Sequence, residues 1–255
     1  MNFTPEEDLR PFLPKESILP VQPFDSAISD KRAARFRQVL MRRTKRLSVV
    51  VEDCHDQHNA TAIIRSCDAF GIDTIHIVSS HQKFKINKQV SRGTHNFMEI
   101  KIHKSIENAY EALKKENYLI FASDLTAPKV IHTEDLQKIY LNNPIALVFG
   151  EESSGLSEKA SQLADGHFMI PMAGFAQSLN VSVALAVAVY AIRGKELCED
   201  ANGNLNVEEQ LQRYTKWVKR KRGLAVDRLI ETYKGKEIEI EAIKFDQASE
   251  EEIID

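Results

Sequence analysis

The chain has 255 residues, 43% hydrophobic and 28% charged, with a net charge of −3. This is ordinary globular composition, long enough for one large domain with appendages or two small ones. The net charge does not suggest a nucleic-acid binder, but the average conceals strong local segregation of charge.

The N-terminus, "MNFTPEEDLRPFLP", is acidic and broken by prolines, so it does not read as a signal peptide. Residues 1–28 read as an extended arm. Residues 31–46 hold eight basic side chains and no acidic one. Ala33, Phe36, Val39 and Leu40 recur there at helical spacing, which predicts a basic amphipathic helix. Such a helix is either a solvated face or a surface for a polyanion, with Arg35, Arg42 and Arg43 as candidate contacts.

From residue 47 the pattern alternates. Strands are predicted at 47–52, 74–79, 97–103, 118–123, 145–150 and 167–172. Helices are predicted at 60–70 with Asn59 as cap, at 105–117 with Ser105 as cap, at 157–164, and at 178–193, where Ser178 is a natural cap. Gly71 marks the stop of the first of these. Strands alternating with helices imply an α/β fold with a parallel sheet covered on both faces. The run that starts at Val181 is apolar all round and predicts a fully enclosed helix, yet it is too short to span a bilayer. Residues 207–222 predict a further helix, purely basic from residue 211, with Tyr214 and Trp217 interleaved. Aromatics among cations suit either stacking on unpaired bases or docking of the helix. Residues 237–255 form an acidic tail. The expected organisation is an arm and basic helix at 1–46, a core domain at 47–195, and a basic extension with the tail at 196–255. Cys54, Cys67 and Cys198 show neither metal spacing nor a disulfide framework, so a reducing cytoplasm is expected.

Ligands of open α/β sheets sit at the carboxyl ends of strands. Four polar loops leave strands here, at 52–65, 123–128, 149–157 and 170–180, and all four can converge on one sheet edge. Glycine-rich dinucleotide and P-loop signatures, a nucleophile elbow and a zinc-protease helix are absent from the sequence. His55 and His58 lack companions for a metal site and read as loop histidines.

Three segments in series, "HNATAIIRSCDAFG" (58–71), "LVFGEESSGLS" (147–157) and "IPMAGFAQSLNVSVALAVAVY" (170–190), resemble the motifs of the SpoU branch of the SPOUT methyltransferases. The resemblance covers about residues 30–195. It implies S-adenosylmethionine as cofactor, methylation of an RNA ribose 2′-hydroxyl, no metal, a deep C-terminal trefoil knot, and a homodimer whose active site draws on both chains. Through "QSLNVSVA", the basic helix and "KRKRGL" (219–224), it points to members that methylate guanosine 18 of tRNA. The alternatives are the same chemistry on ribosomal RNA and a non-catalytic RNA-binding protein. Ribosomal RNA members usually carry a separate domain of about a hundred residues ahead of the core, and only about 45 residues precede the first strand here.

By position, the resemblance assigns Arg65, Asn59, Glu152, Ser178 and Asn180 to catalysis. Glu151 competes with Glu152 for the inward carboxylate. Ser123, Gly150, Ile170 and Leu179 fall on the cofactor contacts. Two roles are open for Arg65, base or electrostatic anchor of a phosphate and a developing alkoxide. Arginine keeps its proton to a pKa above about 12, which makes the first physically demanding and keeps the second open. Expected RNA contacts are Arg35, Arg42, Arg43, Arg92, Lys216, Trp217, Lys219, Arg220, Lys221 and Arg222.

Overall fold

The computed structural model describes residues 17–54, 56–79, 93–124, 127–151, 154–199 and 203–234, without the side chains of Lys221 and Tyr233. They form two compact units, one spanning Thr44–Leu197 and one joining the described parts of Met1–Arg43 and Cys198–Asp255.

The larger unit is an α/β layer structure. Its strands are β1 (Leu47–Glu52), β2 (Thr74–Val78), β3 (Glu99–His103), β4 (Leu119–Ser123), β5 (Ile131–His132), β6 (Ile145–Phe149) and β7 (Gly166–Met169). They form one seven-stranded sheet in the order β3-β2-β1-β6-β4-β7-β5, with every pair parallel. β6 therefore slots between β1 and β4, and β7 between β4 and β5. All residues of β1, β2 and β6 are buried, as expected for parallel strands covered on both faces.

The period of two divides β1 between two cores. Leu47, Val49 and Val51 pack with Ile63, Ile64 and Cys67 of the helix Gln57–Ala69, Leu136 and Tyr140 of Thr133–Tyr140, and Leu185 and Ile192 of Val181–Cys198. Val50 faces the opposite layer, with Ile106, Ala109 and Leu113 of the helix Ile106–Lys115 and Ala160 of Glu158–Leu163. Counting Asp30–Met41 of the smaller unit as α1, these are α2 (Gln57–Ala69), α3 (Ile106–Lys115), α4 (Thr133–Tyr140), α5 (Glu158–Leu163) and α6 (Val181–Cys198), and α7 is Val207–Tyr233.

Two expectations change. The cap of α2 is Asp56, whose carboxylate accepts from the His58 amide at 2.7 Å, so Asn59 lies inside the helix. α6 begins at Val181 rather than at Ser178, with Asn180 accepting from the Ser182 amide at 3.0 Å. Within one chain α6 leaves one stripe uncovered. Val183, Val187 and Tyr190 repeat at helical spacing and are 47%, 41% and 60% exposed. The Gly71 stop stands, at φ 68°, where a left-handed residue closes the helix end.

In the smaller unit, residues 17–28 are not an extended arm throughout, because Pro23–Ala27 forms a 3-10 turn and Leu19 and Phe24 are buried. Arg37 of α1 is fully buried and ion-paired with Asp25 at 2.6 Å. It also donates to the Tyr214 hydroxyl at 2.8 Å. The missing counter-charge of the basic helix thus comes from the preceding segment. Burial, then the hydrogen bond to Asp25, pushes the Tyr214 phenol above its ordinary pKa.

Candidate active site

A cleft of about 810 Å³ opens at the carboxyl ends of β6, β4 and β7, three consecutive strands of the sheet. Ser123 and Asp124 supply one wall at the end of β4. Phe149, Gly150, Glu151, Ser154, Gly155 and Leu156, at and after the end of β6, supply a second, and Met169, Ile170, Ser178 and Leu179, at and after the end of β7, a third. Three of the four loops singled out in the sequence therefore meet here. All four expected cofactor residues, Ser123, Gly150, Ile170 and Leu179, and the catalytic candidate Ser178 line it.

The loop after β6 is tightly turned. The amide of Glu151 donates to the Gly155 carbonyl at 3.0 Å, and the amide of Gly155 donates to the Glu151 carbonyl at 2.9 Å. A Cβ on Gly150 would fall 2.1 Å from the Gly155 carbonyl oxygen, so this turn has no room for any other residue there. Gly155 itself takes φ +69°. The Ser154 hydroxyl donates to Glu151 Oε2 at 2.6 Å. Glu152 lies outside the described residues.

The structure joins Asn59 and Asn180, which are far apart in the chain. Asn180 Nδ2 donates to Asn59 Oδ1 at 3.0 Å, while Asn180 Oδ1 accepts from the amide and hydroxyl of Ser182 at 3.0 and 2.6 Å. One side chain thus caps α6 and ties it to the first turn of α2. At the other end, fully buried Arg193 of α6 donates to the Phe70 carbonyl that closes α2. Arg65 projects from the exposed side of α2 and is not among the residues lining the cleft of its own chain.

A hydrogen-bonded group in the cleft, Ser161, Asp124 and His167, was not among the site residues read from the sequence. The Ser161 hydroxyl donates to Asp124 Oδ2 at 2.7 Å. His167 Nε2 lies 3.0 Å from the same hydroxyl and 3.1 Å from the Ser161 carbonyl, so the tautomer with hydrogen on Nε2 satisfies both. Asp124 and His167 stood beside predicted strand ends, which was the only signal they gave. Glu52 was missed as well, and its carboxylate accepts two hydrogen bonds from Ser157. Among the described residues, no group of three or more His, Cys, Asp or Glu can hold a metal ion, and no helix is long and apolar enough to cross a membrane.

The model of the SpoU rRNA Methylase family matches residues 46–190. The chain belongs to the SpoU family. A tRNA (guanosine(18)-2′-O)-methyltransferase of Thermus thermophilus is 35% identical over 169 residues, covering 66% of this chain and 85% of that protein. The Escherichia coli protein of the same name is 35% identical over 159 residues, 62% of this chain and 68% of that one. Among solved structures, the A. aeolicus TrmH/SpoU tRNA modifying enzyme aligns with a TM-score of 0.68 at 30% identity, over 76% of this chain and 98% of that one. The SpoU methyltransferase AviRb of Streptomyces viridochromogenes, solved in complex with AdoMet, shares the fold at TM-score 0.52 and 24% identity, over 60% of this chain and 62% of that one.

The basic candidates of this SpoU chain separate by burial. Trp217 is 4% exposed, edge-on to Phe36 at 5.4 Å, with the fully buried Arg43 guanidinium 5.9 Å from its ring. Trp217 and Arg43 therefore hold the smaller unit together, and neither is available to RNA in this arrangement. Arg35 and Arg42 are half-buried, whereas Lys216, Arg220 and Arg222 are exposed. Lys219 is ion-paired with Asp227 at 2.7 Å across a kink at Arg222, where φ is −136°. Arg92 and the side chain of Lys221 lie outside the described residues.

Proposed function

We propose that this protein is an S-adenosylmethionine-dependent methyltransferase that modifies the ribose 2′-hydroxyl of guanosine 18 in tRNA. The observation that carries the substrate is its identity, over most of their length, to enzymes named for that nucleotide. The family membership and the cleft support the chemistry.

The cleft suits the cofactor on its own features. It is large enough, it mixes the apolar Ile170 and Leu179 with hydroxyls and carboxylates, and at Gly155, where a Cβ would meet nothing within 4 Å, backbone lies open to a ligand. Ser123, Gly150, Ile170 and Leu179 would hold it. When bound, it supplies an electrophilic methyl group on a sulfonium centre. What remains is to place the ribose in line while the 2′-hydroxyl proton leaves to solvent water. Arg65 is assigned to the RNA phosphate and to the charge that develops on the 2′-oxygen, a task that suits a cation that keeps its proton. Asn59 and Asn180 set the angle between α2 and α6, and with it the placing of Arg65 and the segment ending at Leu179. Ser178 is assigned to the ribose side of the cleft; Glu152, outside the described residues, keeps only its assignment to catalysis.

Because Arg65 is away from the cleft of its own chain, the reading requires a homodimer in which Arg65 serves the partner's cleft. The exposed stripe Val183, Val187 and Tyr190 supplies an apolar face for it. The insertion of β6 and β7 between strands laid down earlier fits a C-terminal trefoil knot, which is part of this reading. Residues 47–195 are then the catalytic domain, and residues 1–46 and 196–255 the extensions that hold tRNA. The reading includes a cytoplasmic location, where the free thiols of Cys54, Cys67 and Cys198 would stay reduced.

The test is methyl transfer from labelled S-adenosylmethionine to unmodified tRNA transcripts, with the modified nucleotide mapped. One 2′-O-methyl at guanosine 18, lost in a transcript carrying adenosine at that position, is the expected result. Methylation of ribosomal RNA with tRNA untouched would overturn the substrate. Failure to bind the cofactor would favour a non-catalytic RNA-binding protein.

A further inference from the structure

We propose that Glu52 is a positioning residue for this reaction, a buried clamp that fixes the cofactor loop 150–157 through Ser157. The proposal rests on the methyltransferase reading for its functional half.

β1 is apolar apart from Ser48 and Glu52, and Glu52 is only 7% exposed. A carboxylate taken out of water is costly unless its oxygens are satisfied, so an apolar residue would fill this position at less expense. Here both oxygens are used on one partner. Glu52 Oε2 accepts from the Ser157 amide at 2.9 Å, and Oε1 accepts from the Ser157 hydroxyl at 2.8 Å. That hydroxyl in turn accepts from the Ala160 amide at 3.1 Å and caps α5.

The sheet register explains the reach. Val51 pairs with Phe149, so Glu52 stands beside the point where the chain leaves β6. The loop from Gly150 to Ser157 is therefore held at both ends by the end of β1 and its neighbour strand. Between those ends, Gly150, Glu151, Gly155 and Leu156 face the cleft.

α5 has moorings of its own. The Tyr110 hydroxyl donates to the Ala160 carbonyl at 2.8 Å, and Ser161 is held by Asp124 at 2.7 Å. Loss of Glu52 should thus leave α5 in place and loosen the loop that precedes it. A loosened loop must be ordered when the cofactor binds, and affinity falls by that cost.

The experiment compares wild type with Glu52→Ala, Glu52→Gln and Ser157→Ala. Hydrogen exchange on the cofactor-free protein reads the loop directly. Faster exchange of amides in 150–157, with 106–115 and 119–123 unchanged, is expected for Glu52→Ala. Its Kd and KM for S-adenosylmethionine should rise roughly tenfold, the worth of hydrogen bonds to a buried charge. kcat at saturating cofactor should change far less, since the loss is one of binding. Glu52→Gln retains one acceptor and should lie between. If Glu52→Ala does not fold, the other two variants carry the same readouts. Variants that lower the melting temperature but leave loop exchange and Kd at wild-type values would overturn the proposal and leave Glu52 a structural residue. A wild-type protein that fails to bind S-adenosylmethionine would sink the methyltransferase reading instead. The exchange comparison would still decide the clamp.

Discussion

His76 of β2 is nearly fully buried, with its Nδ1 2.9 Å from Nε2 of His103 on β3 and the two rings stacked at 5.0 Å. Burial first, then the charges of Lys101 and His103, lowers its pKa from 6.5 to about 3. The folded state therefore keeps His76 neutral where the unfolded chain would bind a proton. Its contribution is fully present above pH 6.5 and is lost as pH falls from there toward about 3. The expected slope from this group is up to about 1.4 kcal/mol per pH unit in that window. Denaturant unfolding at several pH values should show stability falling with pH, and His76→Gln should flatten the fall. An unchanged slope in the variant would refute the assignment. At this scale the sequence was a partial guide. Asn59 and Asn180 were singled out through their motifs. That they bond to each other, and that Asp56 rather than Asn59 caps α2, depended on which side chain reaches an amide, and spacing alone does not report that.

Two helices show what an element's sequence can and cannot state. α4 escaped the sequence reading. It has eight residues, and Leu136 and Tyr140 supply only two well-buried apolar side chains, too few for a periodicity to register. α7 was legible as a basic helix with aromatics, but the roles of those aromatics were not. Burial settles them for Trp217 and Tyr214, which pack on Phe36 and against Asp25 and Arg37. Trp217→Ala should cost about 3–5 kcal/mol in unfolding free energy, as for other buried aromatics. Charge reversal of the exposed Lys216, Arg220 and Arg222 should leave stability nearly unchanged and weaken tRNA binding. The plot of log affinity against log salt should flatten by roughly one per phosphate contact removed. Equal tRNA affinity and salt slope in the reversed protein would move the RNA surface elsewhere.

For the whole molecule, the open question posed by one chain is a cleft without Arg65 and a helix with an apolar stripe facing out. The proposed homodimer would answer both, and mixing separates it from a site contained in one chain. Arg65→Ala protein has an intact cleft, and Gly150→Leu protein has an intact Arg65. Each should be inactive alone. Subunit exchange between them should restore partial methylation if the site is shared, because mixed dimers hold one complete site. No recovery, with mixed dimers shown to form, would confine the site to a single chain. Val187→Glu with Tyr190→Glu should yield monomers in sedimentation and abolish methyl transfer.

The sequence by itself determined the alternation of strands and helices, the two basic stretches and the three motifs, because hydrophobic period and short-range spacing are local properties. Tertiary structure decided the strand order β3-β2-β1-β6-β4-β7-β5, the grip of Glu52 on Ser157, the Asn59–Asn180 bond and the burial of Trp217 and Arg43. Each of these depends on which distant segments are brought into contact, and one carboxylate or one tryptophan in a local pattern reads the same whether it ends in solvent or beneath another element.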